Sequence, residues 1–245
     1  MKIDHPSSLQ IPQLRQLWQE AFGDTDTFLD LFFSGAYDPQ RCLCITLEET
    51  VVAAAYWFAC GEYAYIYAVA TAKSHRGQGL CHKLMAQIHT LLPKQGFQGA
   101  VLVPGDQALR QFYSQMGYAD FGGIHRFSCQ SGTAVAIKKI DAATFAQLRR
   151  RYLPEGGVIQ EKENLAFLSQ VAQFYTGADF LLTASMDGKM LRGLELLGNA
   201  DAAPGILAAL GAENGQFQTP GHAPFAMWRS LGEKNCPTYL GFAFD

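Results

Sequence analysis

A glycine-rich loop between a predicted strand and a predicted helix constrains this chain more than any other stretch. The loop is Arg76-Gly77-Gln78-Gly79, and the aromatic and apolar segment Tyr63–Thr71 before it has the composition of a buried strand. Downstream, apolar residues recur at the spacing of one helical face: Leu80, Leu84, Ile88 and Leu91. The stretch therefore predicts a strand, a tight loop and an amphipathic helix in direct succession.

This arrangement suits a pyrophosphate. Gly77 and Gly79 allow the backbone to approach a ligand closely and to adopt angles that other residues avoid. The unpaired N–H groups of the first helical turn point toward one spot, where the helix dipole favours negative charge. A tight surface turn without a ligand would produce the same short motif, so the loop needs its strand and helix to be informative.

Composition narrows the class of protein. Hydrophobic residues make up 49% of the 245 residues and charged residues 17%, which is typical of a globular chain. The formal net charge of −3 argues against a nucleic-acid-binding surface. No apolar run is long enough to span a bilayer, and the N-terminus lacks the apolar core of a signal peptide. We therefore expect a cytoplasmic protein that binds neither nucleic acid nor membrane.

The cysteines and histidines predict no metal site. The six cysteines form no CxxC pair, and Cys42-x-Cys44 has the wrong spacing for a zinc knuckle. They are expected to be free thiols in a reducing compartment. His75, His82 and His89 follow one another at intervals of about two helical turns, which is too far apart to share one ion.

The first half reads as alternating strands and helices. A short strand is expected at residues 1–5, followed by a helix that ends at Gly23 and a helix capped by Asp24-Thr25-Asp26. The elements expected after these are a hairpin at Cys42–Leu47 and Val51–Cys60, the strand Tyr63–Thr71, the helix Leu80–Leu92, a strand at Phe97–Val103, a helix around Leu109–Met116, and a strand region at Tyr118–Cys129 interrupted by Gly122-Gly123.

The second half repeats this succession in outline. Gln130-Ser131-Gly132-Thr133 is the best linker candidate, which gives domains at residues 1–132 and 133–245. The elements expected beyond it are a strand at Ala134–Ile140, two helices of which the second carries Leu165, Leu168, Ala172 and Tyr175, a hairpin at Phe180–Ser185 and Met190–Leu197, a helix at Ile206–Leu210 capped by Asp201, and strands at Phe225–Arg229 and Tyr239–Phe244. We therefore suspect a duplication.

Two motifs resemble a known family. Val69-x-Thr71-x(4)-Arg76-Gly77-Gln78-Gly79-Leu80 looks like the acetyl-CoA signature of the GNAT superfamily of N-acetyltransferases, and Phe112-Tyr113-x-x-x-Gly117-Tyr118 resembles a second segment of that family. The resemblance covers roughly residues 62–120. It implies a GNAT-type α/β (α+β) fold, with a mixed, mostly antiparallel sheet flanked by helices, here in two tandem GNAT-like domains. It also implies an acyltransferase that moves an acetyl group from acetyl-CoA to a primary amine by direct attack in a ternary complex.

The resemblance assigns candidate site residues. The acetyl-CoA-binding set is Val69, Ala70, Thr71, Arg76, Gly77, Gln78, Gly79, Leu80 and Cys81. In the family the next strand, here around Val101, splays away to admit the pantetheine arm. Tyr113 would protonate the leaving thiolate. The general base is not identified. Glu62 is our candidate catalytic residue for this role, and His125 and water are the alternatives.

Two positions depart from the family pattern. The final small residue of the loop is Cys81, which is read as a packing residue rather than as a reactive thiol at a helix N-terminus. The position where the family often has Asn is Asp106, which is expected to cap a helix.

The segment Gly198–Pro204 replaces the glycine loop in the second half and contains Asp201, so the second domain is expected to lack cofactor. That domain would cover the acceptor cleft, complete the sheet or form a homodimer.

Other functions fit parts of this pattern. A non-catalytic acyl-CoA sensor or interaction module would share the loop but would not need the tyrosine. A nucleotide-phosphate binder is disfavoured because the loop lacks the Gly-Lys-Ser/Thr ending. The acceptor, a small-molecule or peptide amine, is not identified by the sequence.

Overall fold

The computed structural model describes residues 1–233 and 235–243. The chain divides into two compact units. The first comprises Met1–Ala119 and Trp228–Asn235, and the second comprises Asp120–Met227 and Cys236–Asp245. The units are therefore discontinuous in sequence, because the chain returns to the first unit near its C-terminus.

Among its described residues, the first unit contains five complete strands and four α-helices. The strands are β1 (Lys2–Asp4), β2 (Cys42–Leu47), β3 (Thr50–Cys60), β4 (Tyr63–Thr71) and β5 (Gly99–Leu102), and the helices are α1 (Ile11–Phe22), α2 (Asp26–Gly35), α3 (Leu80–Leu91) and α4 (Gln107–Ser114). The strands follow in the order β1-β2-β3-β4-β5, and the returning residues 228–230 lie next to β5. Pairing is antiparallel from β1 to β4, and β4 pairs with β5 in parallel.

Local sequence explains the helix ends near the N-terminus. Pro12 lies in the first turn of α1, and Gly23 ends this helix in the left-handed conformation. The Thr25 hydroxyl accepts a hydrogen bond from the Phe28 amide at 3.2 Å and begins α2. Trp18 of α1 is 2% exposed and lies among aromatic rings of α2, β3 and β4, including Phe32 at 4.6 Å. Burial of these rings stabilises the packing of α1 and α2 against β3 and β4.

The second unit repeats the same pairing pattern. Its strands are β6 (Ala119–Gln130), β7 (Lys138–Ile140), β8 (Gln173–Thr176), β9 (Phe180–Asp187), β10 (Met190–Gly198), β11 (Asn214–Pro220) and β12 (Ala223–Ser230), and its helices are α5 (Ala142–Tyr152), α6 (Glu163–Val171) and α7 (Ala203–Leu210). The strand order is β6-β11-β10-β9-β8-β7, with the first part of β12 next to β6. Antiparallel pairing from β7 to β10 is followed by the parallel pair β10–β11. This is the pattern of β1 to β5.

The unit boundaries differ from the expected division at residue 132. The proposed linker Gln130–Thr133 lies within the second unit, where the Ser131 amide donates to Glu213 O and the Gly132 amide donates to Pro204 O. The strand β6 before it also belongs almost entirely to the second unit. Composition favoured a linker here, but backbone hydrogen bonds hold the segment in place.

Several expected elements of the second half differ in the structure. Residues 134–137 precede β7 rather than belonging to it, and Tyr175 lies in β8, because α6 ends at Val171. Asn199 rather than Asp201 caps the short helical turn before α7, since its side chain accepts a hydrogen bond from the Asp201 amide. Gly122-Gly123 does not interrupt β6.

The ends of the second unit hold two further differences. The sequence did not predict β11. Residues 239–243 form no strand, and Phe244 of the predicted strand Tyr239–Phe244 lies outside the described residues. Within residues 1–233 and 235–243, no helix has both the length and the apolar character needed to cross a membrane.

Candidate active site

The parallel strands β4 and β5 separate after three residue pairs. The paired residues are Tyr63 with Gly99, Ala64 with Ala100, and Tyr65 with Val101. β5 ends at Leu102, whereas β4 continues to Thr71. The pairing ends at Val101, around which the family resemblance predicted that the strands separate. Beyond Tyr65 the edge of β4 that faces β5 is unpaired, and this unpaired edge is the opening between the two strands.

A bulge in β4 lies at this opening. The register against β3 shifts between the pairs Tyr56–Tyr67 and Ala54–Ala70, so the bulged strand has one extra residue. Ala68 has a φ of +48°, which is strained for a residue with a Cβ. Ala68 and Val69 are half-buried, although their neighbours earlier in the strand are buried. A bulge of this kind changes the direction of the backbone N–H groups next to it.

The glycine loop follows directly and has the expected conformation. Gly77 and Gly79 have φ values of +76° and +70°, and a Cβ built on either would have no atom within 4 Å. Arg76 Nε donates to Thr71 O at 3.1 Å and so ties the loop to the end of β4. Gly79 is the N-cap of α3, whose first amides therefore lie at an exposed loop. The loop has the features of an anion-binding site.

The structure brings Tyr113 near the first turn of α3. Tyr113, in the last turn of α4, is 7% exposed. Burial, followed by the negative charge that Cys81 would carry if ionised, raises its pKa above the ordinary value for tyrosine. Because of this raised pKa, the phenol is protonated at neutral pH and able to donate. The helix α4 lies beside the first turn of α3, since the ring centroids of His82 and Phe112, the residue before Tyr113, are 4.8 Å apart.

Cys81 is not an activated thiol. Burial raises the pKa of Cys81 to about 11, so the side chain is protonated at neutral pH despite its place at a helix N-terminus. This agrees with its interpretation as a small packing residue. Asp106 caps α4 as expected, since its Oδ1 accepts from the Leu109 amide at 2.7 Å.

The base candidate Glu62 is not brought to this place. Glu62 is exposed in the turn between β3 and β4. Val69 lies seven residues further along, which corresponds to roughly 20 Å of strand. Glu62 is therefore at the end of β4 remote from the glycine loop. His125 lies on β6 in the second unit.

The sequence did not predict a cluster of polar side chains next to Tyr113, formed by His89, Tyr118 and Arg229. His89 Nε2 and the Tyr118 hydroxyl are 2.9 Å apart, and Arg229 Nη1 donates a hydrogen bond to Met116 O. Arg229 comes from the returning strand β12, over a hundred residues away in sequence, so no local pattern could have revealed it. The second family motif contains Tyr118, but nothing in the sequence indicated that His89 is its hydrogen-bond partner.

The second unit has a different arrangement where its parallel strands part. The last residue pair of β10 and β11 is Gly193 with Phe217, and β10 then has a register irregularity before Glu195. Glu195 is 1% exposed and forms a two-point ion pair with Arg149 of α5, at 2.7 and 2.8 Å. A Cβ on Gly241 would lie 1.9 Å from Glu195 Oε1. The C-terminal segment thus packs against β10 at this point.

Hydrogen bonds fix that segment in place. Arg149 Nη2 donates to Leu240 O at 3.1 Å, Gln218 of β11 donates to Gly241 O, and Gln160 donates to Phe242 O at 3.3 Å. The loop before α7 is also held by the protein's own contacts, because Asn199 Nδ2 donates a hydrogen bond to the Asp179 carboxylate at 2.8 Å. The structure therefore offers no counterpart of the open glycine loop among these described residues.

Comparisons with known proteins place the chain in a class. The family model of the acetyltransferase (GNAT) domain matches residues 2–120. Among solved structures, the GCN5-related N-acetyltransferase from Kribbella flavida aligns with a TM-score of 0.70 at 19% identity, covering 94% of this chain and 70% of that chain. The GCN5-related N-acetyltransferase from Anabaena variabilis gives a TM-score of 0.71 at 15% identity, with coverage of 94% and 72%.

A third structure extends the likeness over almost the whole chain. The GCN5-related N-acetyltransferase from Sphaerobacter thermophilus covers 99% of this chain and 98% of its own, with a TM-score of 0.59 at 10% identity. No curated protein sequence matches significantly. The fold and the family match define a transferase. More closely, residues 2–120 of the chain are a GNAT acetyltransferase domain.

No cluster of three or more histidine, cysteine, aspartate or glutamate side chains suited to a metal occurs in the part of the chain that the structure describes.

Proposed function

We propose that the chain is an N-acetyltransferase that transfers an acetyl group from acetyl-CoA to a primary amine by direct attack. The observation that carries the proposal is the continuity of three features in one unit. The opening between β4 and β5 leads to the glycine loop, and Tyr113 lies on α4, which packs beside the first turn of the helix that begins there. Acetyl-CoA has one part for each feature: the pantetheine arm for the opening, the pyrophosphate for the glycine loop and the leaving sulfur for the Tyr113 phenol.

The pyrophosphate of acetyl-CoA would bind at the glycine loop. The backbone amides from Arg76 to Cys81 would hold it at the positive end of the α3 dipole. The φ values of Gly77 and Gly79 and the open space beside them support this role. Leu80 is buried and would anchor the first helical turn, and Gln78 is exposed in the loop.

The pantetheine arm would run along the unpaired half of β4. Residues Val69, Ala70 and Thr71 would meet it through backbone groups. The bulge at Ala68 supports the further proposal that N–H groups at Val69 and Ala70 stabilise the oxyanion of the tetrahedral intermediate.

The chemical step needs one proton donor and one acceptor. The amine nitrogen forms a bond to the acetyl carbon, and collapse of the intermediate breaks the C–S bond. Tyr113 would donate its proton to the departing CoA thiolate, and the ammonium would lose a proton to water. We do not assign the base to Glu62, because it lies about 20 Å of strand away from Val69.

We further propose that the second unit is a degenerate GNAT-like domain without cofactor. The recurrence of the β1-to-β5 pairing pattern in β7 to β11 supports a duplication. The Arg149–Glu195 pair and residues 240–242, which pack where β10 and β11 part, support the absence of a second cofactor site.

Acetyl-CoA binding by calorimetry tests the cofactor site. Gly79→Ala places a Cβ in the open space at the loop and should weaken binding at least tenfold, which is about 1.4 kcal/mol. Gly96→Ala is the matched control, because Gly96 has a φ of +90° with the same open surroundings at the other end of α3. Equal affinities of the two variants would refute the proposed site.

The role of Tyr113 is tested by Tyr113→Phe. We expect this variant to bind acetyl-CoA normally and to release CoA thiol about 10²-fold more slowly in the presence of an accepted amine. An acyl-CoA sensor would show no turnover in the wild type, so the same assay separates the two functions.

A further inference from the structure

His89 lies on the flank of α3 that faces Tyr113 and Tyr118. Cys81, Met85 and His89 follow one another at intervals of four residues and so share one side of the helix. At its N-terminal end α3 packs beside α4, the helix that carries Tyr113, since the ring centroids of His82 and Phe112 lie 4.8 Å apart. Two turns later His89 meets Tyr118, with 2.9 Å between Nε2 and the hydroxyl and 5.5 Å between the ring centroids.

The direction of this hydrogen bond follows from the chemistry of the two groups. Burial, followed by the positive charge of Arg229, lowers the pKa of His89 to about 4, so the imidazole is neutral at physiological pH. A neutral imidazole has one donor and one acceptor nitrogen. A phenol is a stronger acid than an imidazole N–H, and an imidazole nitrogen is a stronger base than a phenol oxygen. The Tyr118 hydroxyl therefore donates to His89 Nε2.

Tyr118 in turn is packed against Tyr113. Tyr118 is 3% exposed, and its ring meets the Tyr113 ring at 5.8 Å and 67°. The Tyr118 amide donates to Tyr113 O at 3.2 Å, and the Met116 amide donates to the same oxygen at 2.9 Å. Arg229 donates to Met116 O from the other side of this turn. A movement of the Tyr118 ring would therefore move the Tyr113 ring.

We propose that His89 is a positioning residue for acyl transfer, which accepts a hydrogen bond from Tyr118 and so keeps the Tyr113 phenol at the leaving sulfur. This inference rests on the function proposed above. The charged and titratable groups that act on the pair are Arg229 from β12, Tyr113 from α4 and Cys81 from α3. Burial, followed by the positive charge of Arg229, keeps His89 in its accepting, neutral form.

The hydrogen bond is tested by NMR on the full chain labelled with ¹⁵N-histidine. We expect His89 to be neutral at pH 5, with Nδ1 protonated and Nε2 unprotonated. Tyr118→Phe should shift the Nε2 resonance and leave the histidine His222 of the second unit unchanged. A protonated Nε2, or an imidazolium at pH 5, would overturn the inference. This measurement needs no acceptor amine.

The positioning role is tested by thiol release at saturating acetyl-CoA, with spermidine and L-lysinamide as acceptors. His89→Leu should lower kcat about tenfold and leave the KM for acetyl-CoA within twofold. His89→Gln, whose amide can still pair with Tyr118, should recover most of the rate. In a Tyr113→Phe background, His89→Leu should have no further effect, whereas a purely structural role would lower both backgrounds equally.

Two outcomes separate this inference from the proposed function. If Tyr113→Phe has the wild-type kcat, the role of Tyr113 fails and the positioning role fails with it. If Tyr113→Phe is slow while His89→Leu has the wild-type kcat, only the positioning role is overturned. Binding of acetyl-CoA by both variants, measured by calorimetry, shows that the loop is intact in either case.

Discussion

The buried, neutral state of His89 makes the stability of the first unit depend on pH. The folded pKa of this histidine is about 4, and the ordinary value is 6.5. Between these values the unfolded chain binds a proton that the folded chain does not. The contribution of His89 to the free energy of unfolding is therefore fully present above pH 6.5 and is lost as the pH falls toward the folded pKa. From pH 7 to pH 5 the two values give a loss of about 2 kcal/mol, or roughly 4–8 °C in Tm.

His89→Gln removes this titration and preserves a polar partner for Tyr118. Thermal unfolding of the wild type and the variant, followed by circular dichroism at pH 7 and pH 5, measures the difference directly. Other groups titrate in both proteins and cancel. We expect the loss of Tm between the two pH values to be smaller in His89→Gln by about 4–8 °C. His222→Gln, at an exposed histidine, should behave as the wild type. An unchanged pH dependence in His89→Gln would refute the reasoning.

Two further predictions concern the C-terminal segment. Gly241→Ala should lower the free energy of unfolding of the second unit by at least about 3 kcal/mol in urea titrations, because its Cβ would overlap the Glu195 carboxylate of a buried ion pair. Gly211→Ala, at a φ of +72° with open space around it, should cost only about 1 kcal/mol, and equal costs would contradict this account. A fragment of residues 1–132 should fail to show cooperative unfolding by circular dichroism, since it lacks residues 228–230 of β12 beside β5. Wild-type-like unfolding of that fragment would show that the returning segment is dispensable.

Local patterns predicted the parts of the site that local chemistry determines. The strand β4, the glycine loop and α3 were predicted from aromatic composition, glycine positions and helical spacing. The cap of α4 by Asp106 was also predicted, since capping depends on residues within one turn. The family resemblance supplied the divergence at Val101, which no local pattern contains.

Features that depend on distant residues were not predicted. The strand β11 has the polar sequence Asn214–Pro220, and it forms because β10 and β6 pair with its two sides. The helical spacing of Ala172 and Tyr175 was overridden by pairing of β8 with β9. Neither the bulge at Ala68 nor the approach of Arg229 to Met116 leaves a sequence signal.

The most direct test of the central claim is the stoichiometry of acetyl-CoA binding to the full chain. Isothermal titration calorimetry should give one site per chain, because the glycine loop is open in the first unit and residues 240–242 pack against the parting strands of the second. That single site should weaken at least tenfold in Gly79→Ala. Absence of binding by the wild type, or two sites per chain, would contradict the account.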